Sequence, residues 1–422
     1  MSKGQQQARP SWQRNLAILW LGELIAISGF SVTFPFLPYY VQELGITDLD
    51  QVAFWAGLLT TSQAVTMAIV APIWGVVADR YGRKLMLERA MFGGAVVLAA
   101  MGFTQNVYQL TVLRAIQGML TGTVPAAMTL VASGTPMERR GYALGMLQMA
   151  VYLGSSVGPL LGGLIADQMG YRATFFVTGA LLFIAGVLVT AFVREEFPPA
   201  QKAKRTEEAG RPKRRAVAWE SLVTVLRTKP LMTVFAIRVL GRIAPAIIAP
   251  FLPLFIQGIA SPGAKIASVT GTISGVMSAT TAVATVVLGR LSDRIGPRRV
   301  LLTCAVTDCI LYSIQPWSQN PTQFLILRAI AGVTAGGTLA SVNALMAECA
   351  PKDSFGAVYG LDTSVGSAAN AIAPMVGAAL TTSWGLRAAF YGAVPMFGLS
   401  ALVTALTGRP RRPERKAVPE DE

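Results

Sequence analysis

Charged side chains inside long apolar runs are the residues of this chain whose types could do chemistry. They are Glu23, Arg114, Arg238, Arg242, Asp308, Arg328 and Asp362. A charged side chain in hydrocarbon costs about 3 kcal/mol or more, so those that are kept usually serve a function. Burial favours the neutral form of a carboxyl group and a nearby cation favours the ionised form. An acid such as Glu23 could therefore take up and release a proton as its surroundings change.

Other chemistry is excluded by composition. The chain has no histidine, so a zinc site with histidine ligands, a Ser-His-Asp triad and a Cys-His pair are all impossible. Its three cysteines, Cys304, Cys309 and Cys349, lie in apolar runs at spacings that do not suit a metal site. We expect no metal, no cofactor and no enzymatic activity.

Membrane-spanning helices must position the buried charges. The chain is 53% hydrophobic and 14% charged, against about 25% charged in soluble domains. Apolar runs of about 20 residues recur, which is the length that crosses a bilayer as a helix. We predict twelve spans, at 16–42, 52–77, 85–104, 107–132, 141–166, 171–193, 230–257, 266–288, 299–316, 322–350, 355–381 and 386–407.

The spans divide into two sets of six. We predict an N-terminal six-helix bundle at 1–193, a cytoplasmic linker with a short amphipathic segment at 194–229, a C-terminal six-helix bundle at 230–408 and a cytoplasmic tail at 409–422. The linker contains the polar sequence KAKRTEEAGRPKRR, whose composition is typical of a mobile connection.

The net charge of +14 reports orientation in the membrane. Lysine and arginine crowd the N-terminus, the loops that follow spans 2, 4, 6 and 8, and the C-terminal sequence RPRRPERK. The opposite loops are nearly free of them. This positive-inside pattern places both termini in the cytoplasm and argues against nucleic-acid binding.

The two halves are internal repeats. A shift of about 215 residues aligns FPFLPYYVQ at 34–42 with APFLPLFIQ at 249–257, and LRAIQGMLTG at 113–122 with LRAIAGVTAG at 327–336. Proline, arginine and glycine positions match, which chance similarity of apolar segments does not explain. A duplicated unit of six spans with the same orientation predicts two bundles related by a pseudo-twofold axis along the membrane normal.

The same shift relates two charged residues. Glu23 in span 1 aligns with Arg238 in span 7, and Arg242 lies one helical turn beyond Arg238. We hypothesise that Glu23 and Arg238 face each other across a cavity or share a polar network. Asp362 could be a second titrating site or the partner of an arginine, and the sequence does not choose between these roles.

A short charged loop occurs once in each half, as GVVADRYGRK at 75–84 and GRLSDRIGPRR at 289–299. Its glycines permit a close approach of helices and a tight turn, and its aspartate could cap the start of a neighbouring helix. In the second copy Pro297 interrupts the basic cluster. The residues of interest in the two copies are Gly75, Asp79, Arg80, Gly82, Arg83, Lys84, Asp293 and Arg294.

Span 5 contains the sequence GSSVGPLLGG at 154–163. Gly154, Gly158 and Gly162 recur every four residues, so they share one helix face that a neighbouring helix can approach closely. Pro159 leaves one carbonyl without its helical partner and bends the span. Gly163 ends the motif.

Together these motifs resemble the major facilitator superfamily over nearly the whole chain. The 75–84 loop matches its signature between spans 2 and 3, LTVLRAIQGMLTG resembles its span-4 arginine motif, and GSSVGPLLGG and FPFLP resemble motifs of its twelve-span drug:proton antiporters. The resemblance implies an all-α membrane protein of twelve transmembrane helices in two six-helix bundles, in which spans 1, 4, 7 and 10 line a central cavity.

The resemblance also implies a function. We expect a monomeric, proton-coupled secondary transporter of the cytoplasmic membrane that exports small amphipathic compounds, as in multidrug efflux, by alternating access. The residues expected to couple transport to protons are Glu23, Arg114 and Asp362. The substrate cavity includes Glu23, Arg238, Arg242, Gln117 and Asn343. The charged loop becomes a latch in which Asp79 meets the start of span 11, near 353–356. A lipid or glycolipid flippase and a metabolite importer or facilitator remain alternatives on the same fold.

Overall fold

The computed structural model describes residues 12–195, 229–349 and 355–406. Within these ranges the chain forms helices and short 3-10 turns and contains no strand. Residues 196–228 and 407–422, which include most of the predicted linker and the whole predicted tail, lie outside the described residues.

The first half contributes six spans. Their helices are Trp12–Thr33 and Leu37–Glu43 (span 1), Leu49–Tyr81 (span 2), Arg83–Met101 (span 3), Val107–Leu120 and Thr123–Gly134 (span 4), Arg140–Met169 (span 5) and Tyr171–Phe192 (span 6). The run predicted as span 4 at 107–132 is therefore two helices.

The second half contributes the other six. Their helices are Lys229–Ile248 and Leu252–Ile259 (span 7), Ile266–Ile295 (span 8), Pro297–Ile314 (span 9), Pro321–Cys349 (span 10), Phe355–Trp384 (span 11) and Arg387–Leu406 (span 12). Ten segments of the described chain are long and apolar enough to cross a membrane by length and composition. The two spans that are not among these ten segments are span 3 and span 11. The helix of span 3 carries four charged residues, Arg83, Lys84, Glu88 and Arg89.

The packing of the helices repeats in the two halves. In the first half, span 1 packs on spans 5 and 6, span 2 packs on span 4, and span 3 packs on span 6. In the second half, span 7 packs on spans 11 and 12, span 8 packs on span 10, and span 9 packs on span 12. The bundles meet where span 5 packs on span 8 and where span 11 packs on span 2. Each contact has its counterpart under the 215-residue shift, so the pseudo-twofold relation predicted from the repeat is confirmed.

Prolines and glycines interrupt the spans where the backbone must turn. Span 1 passes through a 3-10 turn at Phe34–Phe36, which contains Pro35, before its second helix. Span 4 breaks at Gly122, whose φ is 132°, a conformation that side chains with a Cβ rarely adopt. The aligned glycine of span 10, Gly336, lies inside one continuous helix. The broken span 4 is thus an asymmetry between the halves.

The bundles are in close contact at one end of the molecule. We call the end with the loops at Gly82 and Gly296 the basic end, and the other the distal end. In span 2, a Cβ on Gly57 towards the distal end would lie 3.0 Å from the carbonyl oxygen of Pro374 in span 11, whereas a Cβ on Gly75 near the basic end would meet nothing within 4 Å. Among the described residues, the close contact of span 2 with span 11 therefore lies towards the distal end.

Candidate functional site

Glu23 lies in the interior of the N-terminal bundle. Its side chain is 0% exposed, and neither carboxylate oxygen has a hydrogen-bond partner among the described residues. Thr123, the first residue of the second helix of span 4, lies close to the carboxylate, but no hydrogen bond of ordinary geometry joins the two side chains. A buried carboxyl group without partners is expensive to ionise, which suits a group that is neutral in one state of a cycle and charged in another.

Thr123 connects this acid to a cavity of about 380 Å³. The cavity lies between spans 1 to 5, and its lining includes Arg114, Gln117, Gln63 and Thr123 but not Glu23 itself. Glu23 thus lies behind the cavity wall, and the break in span 4 forms the part of the wall that separates the two.

Arg114 is the cationic group of this cavity. It is 3% exposed; its Nη1 donates to Oε1 of Gln117 at 2.8 Å and its Nε to the carbonyl oxygen of Leu59 at 3.4 Å. Its Nη2 is buried and has no partner among the described residues. The guanidinium therefore keeps a free donor next to the cavity. The structure brings together two predicted site residues here, Arg114 and Gln117.

A second charged cluster lies in the C-terminal bundle. Asp362 of span 11 accepts from Arg238 through both oxygens, with Nε–Oδ1 at 2.8 Å and Nη2–Oδ2 at 3.0 Å, and from Nη2 of Arg242 at 3.2 Å. Arg238 and Asp362 are about nine-tenths buried, whereas the Arg242 side chain is 36% exposed. The three side chains carry a net charge of +1, and Arg242 is the most exposed of them.

The hypothesised pairing of Glu23 with Arg238 is not formed in this structure. Arg238 binds Asp362 of its own bundle, and Glu23 lies beside Thr123 in the other bundle. Of the two roles left open for Asp362, the structure shows the partner of arginines. Asn343, predicted in the cavity, is exposed and belongs to neither charged cluster.

Asp308 packs against a neighbouring helix. It is buried and accepts a hydrogen bond from the hydroxyl of Thr334 in span 10. Arg328, the repeat partner of Arg114, donates to the hydroxyl of Tyr312 at 3.4 Å. Both residues thus contact side chains inside the C-terminal bundle.

The basic residues of the charged loop bind within their own bundle. Arg83 donates to the carbonyl oxygen of Thr129 in span 4, and Lys84 to that of Thr190 in span 6. The amides of both residues donate to the carboxylate of Glu195 just after span 6, at 3.0 and 2.8 Å. In the second half Arg298 likewise donates to carbonyls at the end of span 12. These bonds hold together the basic ends of spans 3, 4 and 6, and of spans 9 and 12.

The contact predicted between Asp79 and the start of span 11 falls outside the part of the chain that the structure describes. The side chain of Asp79 and residues 350–354 lie outside the described residues. Arg80, Asp293 and Arg294 are exposed at the basic end. The latch between Asp79 and span 11 stays a prediction.

The span-5 glycines form a close seam with span 1. A Cβ on Gly158 would lie 2.4 Å from Cβ of Ser31 and 2.5 Å from the carbonyl oxygen of Ser28, and one on Gly162 would lie 2.2 Å from the carbonyl oxygen of Val32. Gly154 is nearly as tight, and Gly163 faces span 8 of the other bundle. The carbonyl oxygen of Pro159 faces span 8, where it would lie 2.1 Å from a Cβ on Gly271. Span 5 therefore joins span 1 to the opposite bundle.

This seam yields a prediction. Gly158→Ala should lower the stability of the protein by about 1–3 kcal/mol, because the new methyl group has no room against the backbone of span 1. Gly145→Ala on the same helix is the matched control, since a Cβ there would meet nothing within 4 Å. The apparent melting temperature of the purified protein measures both. Equal melting temperatures would show that the seam is not tight.

Sequence reasoning missed Thr123 and the break that places it beside Glu23. A signal was present, because Gly122 is followed three residues later by Pro125, a combination that ends one helix and starts another.

Comparisons with known proteins agree with this architecture. The family model "Major Facilitator Superfamily" matches residues 19–270 and 243–422. Proteins named "Multidrug resistance protein MdtG" are similar along most of the chain. The protein of Enterobacter lignolyticus is 34% identical, and the match covers 94% of this chain and 93% of the relative. The protein of Citrobacter koseri is 35% identical, and the match covers 90% of this chain and 91% of the relative.

Solved structures share the fold at low identity. A bacterial homologue of the human lysosomal transporter Spinster, solved in an inward-facing and unoccupied conformation, has a TM-score of 0.74 and 15% identity, covering 94% of this chain and 97% of its own. The human organic anion transporter MFSD10 has a TM-score of 0.65 and 16% identity, covering 94% and 100%.

Proposed function

Because this chain belongs to the Major Facilitator Superfamily and is a multi-pass membrane transporter rather than an enzyme, we propose that it exports small amphipathic compounds in exchange for protons. Relatives about 34% identical along nearly their whole length are named as multidrug resistance proteins, which supports multidrug efflux. The observation that carries proton exchange is the wholly buried Glu23, which has no hydrogen-bond partner among the described residues and lies next to a cavity that contains Arg114.

The proposed cycle assigns a role to each group. With the basic end in the cytoplasm, as the loop charges predict, the structure is open to the cytoplasm and Glu23 carries a proton. Substrate enters the cavity, and Glu23 passes its proton by way of the Thr123 hydroxyl to water in the cavity. Arg114, whose Nη2 has no partner among the described residues, stabilises the resulting carboxylate. The bundles then rock about the contacts of spans 5 and 8 and of spans 2 and 11.

The predicted latch belongs to the other half of this cycle. When the distal end opens, Gly75 and the helix end at Asp79 would meet the start of span 11, and the aspartate would cap its first turn. The exposed Arg80 and Asp293 are free to approach the other bundle at that point.

Efflux from whole cells tests the proposal. Bacteria that lack their own exporters and express this chain should accumulate less of at least one compound from a panel of cationic, neutral and anionic amphipathic dyes. A protonophore should abolish the difference. Accumulation that equals the vector control for every dye, or a difference that survives the protonophore, would contradict proton-driven export.

One observation favours a second candidate, a lipid or glycolipid flippase. The cluster of Arg238, Arg242 and Asp362 has a net positive charge and exposes Arg242, which suits an anionic head group. Transfer of a fluorescent anionic phospholipid between leaflets of proteoliposomes would support that activity, and transfer no faster than in protein-free vesicles would dismiss it.

A further inference from the structure

The helix of span 8 begins at the bundle interface without a cap of its own. Its N-cap residue is Lys265, whose side chain accepts no hydrogen bond. Instead Asp167 of span 5, in the other bundle, accepts from the amides of Ala267 at 3.2 Å and Ser268 at 2.8 Å. These are the second and third amides of the helix, the ones that a local capping side chain would bind. The cap is therefore supplied across the interface.

The cap lies within the tightest part of the distal contact. Ala166 and Ala267, its neighbours on the two helices, are buried. The hydroxyl of Tyr39 in span 1 donates to the carbonyl oxygen of Pro253 at 2.6 Å and lies 2.8 Å from the hydroxyl of Thr270 in span 8. A Cβ on Gly163 would lie 2.5 Å from the carbonyl oxygen of Ala267. The part-buried carboxylate thus meets the positive end of the helix at the contact between the bundles.

The symmetry-related junction is built differently. Span 2 corresponds to span 8, and it is capped by its own Asp48, which accepts from the amide of Asp50 at 3.3 Å. Span 11 corresponds to span 5, and its residue at the position of Asp167 is Thr382, which donates to the carbonyl oxygen of Ala378 in its own helix. Separation of the bundles therefore costs span 8 its cap and leaves the cap of span 2 in place.

We propose that Asp167 is a gate residue that stabilises the state closed at the distal end by capping span 8 across the bundle interface. When this end opens, the first amides of span 8 lose their acceptor and Asp167 loses its donors, so the cap biases the protein towards the state seen here. The inference rests on the proposed alternating-access function, but it concerns the conformational equilibrium alone and can be tested without substrate or protons.

Spin labels on the distal rim measure that equilibrium directly. Gln42 and Gln257 face each other across the interface, with their side-chain amides 3.1 Å apart. In a background with Cys304, Cys309 and Cys349 replaced by alanine, labels at Gln42→Cys and Gln257→Cys give short distances in the closed state and long ones in the open state. Pulsed electron resonance on the purified protein then yields the ratio of open to closed molecules.

Asp167→Ala should raise the open-to-closed ratio about threefold to thirtyfold, the range expected for the loss of one helix cap. Asp167→Asn should raise it less, because asparagine still accepts from the helix amides. Asp48→Ala is the matched control: it removes the cap of span 2 within one bundle and should leave the ratio unchanged.

A second variant tests the idea with Asp167 intact. Lys265→Ser supplies span 8 with a cap that persists in both states, so opening should cost less and the ratio should rise. An unchanged distance distribution in Asp167→Ala, or an equal shift in Asp48→Ala, would overturn the proposal. A shift in Asp167→Ala with no substrate-dependent proton movement by the wild type would uphold the gate and refute the proposed function.

Discussion

Glu23→Gln should reduce proton-driven efflux to the level of protein-free liposomes while leaving exchange of labelled for unlabelled substrate intact. Glutamine has nearly the shape of a protonated glutamate, so the variant would mimic the neutral state that we propose for Glu23, and the bundles could still rock with substrate bound. What the variant cannot do is release and rebind a proton at the only wholly buried carboxyl group of the described N-terminal bundle. Proton-driven and exchange transport, measured in the same proteoliposomes, separate the two abilities.

A matched control lies in the same span. Glu43 is part-exposed at the distal end and pairs with Arg172 at 3.3 Å, an exposed ion pair of the kind that contributes at most about 1 kcal/mol. Glu43→Gln should keep proton-driven efflux near the wild-type rate. If Glu23→Gln retained full proton-driven efflux, Glu23 would have no part in coupling.

Asp362→Asn should have the largest effect on stability. The change leaves Arg238 and Arg242 close together without an anion, and Arg238 is nine-tenths buried. Removing one partner of a buried ion pair costs about 3–5 kcal/mol, so the folded yield and the melting temperature should both fall. Because the Arg242 side chain is partly exposed to solvent, we expect the loss of stability to lie towards the lower end of that range.

Two further variants test that explanation. Arg238→Gln added to Asp362→Asn should recover part of the melting temperature, because one unpaired cation is then gone. Asp293→Asn, at an exposed acid in the same bundle, should leave it unchanged. A melting temperature in Asp362→Asn equal to that of the wild type would show that the arginines do not depend on this carboxylate.

The repeat made the packing of the helices predictable, because prolines and glycines mark where helices end and where they approach. It did not predict contacts of individual charges. Glu23 and Arg238 occupy equivalent positions, but equivalence under a pseudo-twofold axis says nothing about which helix lies beside each residue. Span 7 packs on span 11 as span 1 packs on span 5, and Asp362 lies on span 11. Helix adjacency rather than the residue shift was the useful guide.

The cap on span 8 had no signal in the sequence. A local cap is visible as a Ser, Thr, Asp or Asn just before a helix, as at Asp48, whereas Asp167 lies about a hundred residues from the amides it binds. The span-5 seam, by contrast, followed from the four-residue spacing of Gly154, Gly158 and Gly162 alone, and a Cβ at each of these glycines would lie within about 3 Å of span 1.

Substrate-dependent proton movement by the wild-type protein in proteoliposomes tests proton-coupled export most directly. A pH-sensitive dye inside the vesicles reports protons, and a panel of cationic, neutral and anionic amphipathic compounds supplies the substrate. We expect protons to move opposite to at least one compound, and an imposed pH gradient to drive that compound against its own gradient. Transport of a compound with no accompanying proton movement, or protons moving in the same direction as the compound, would contradict the proposed exchange.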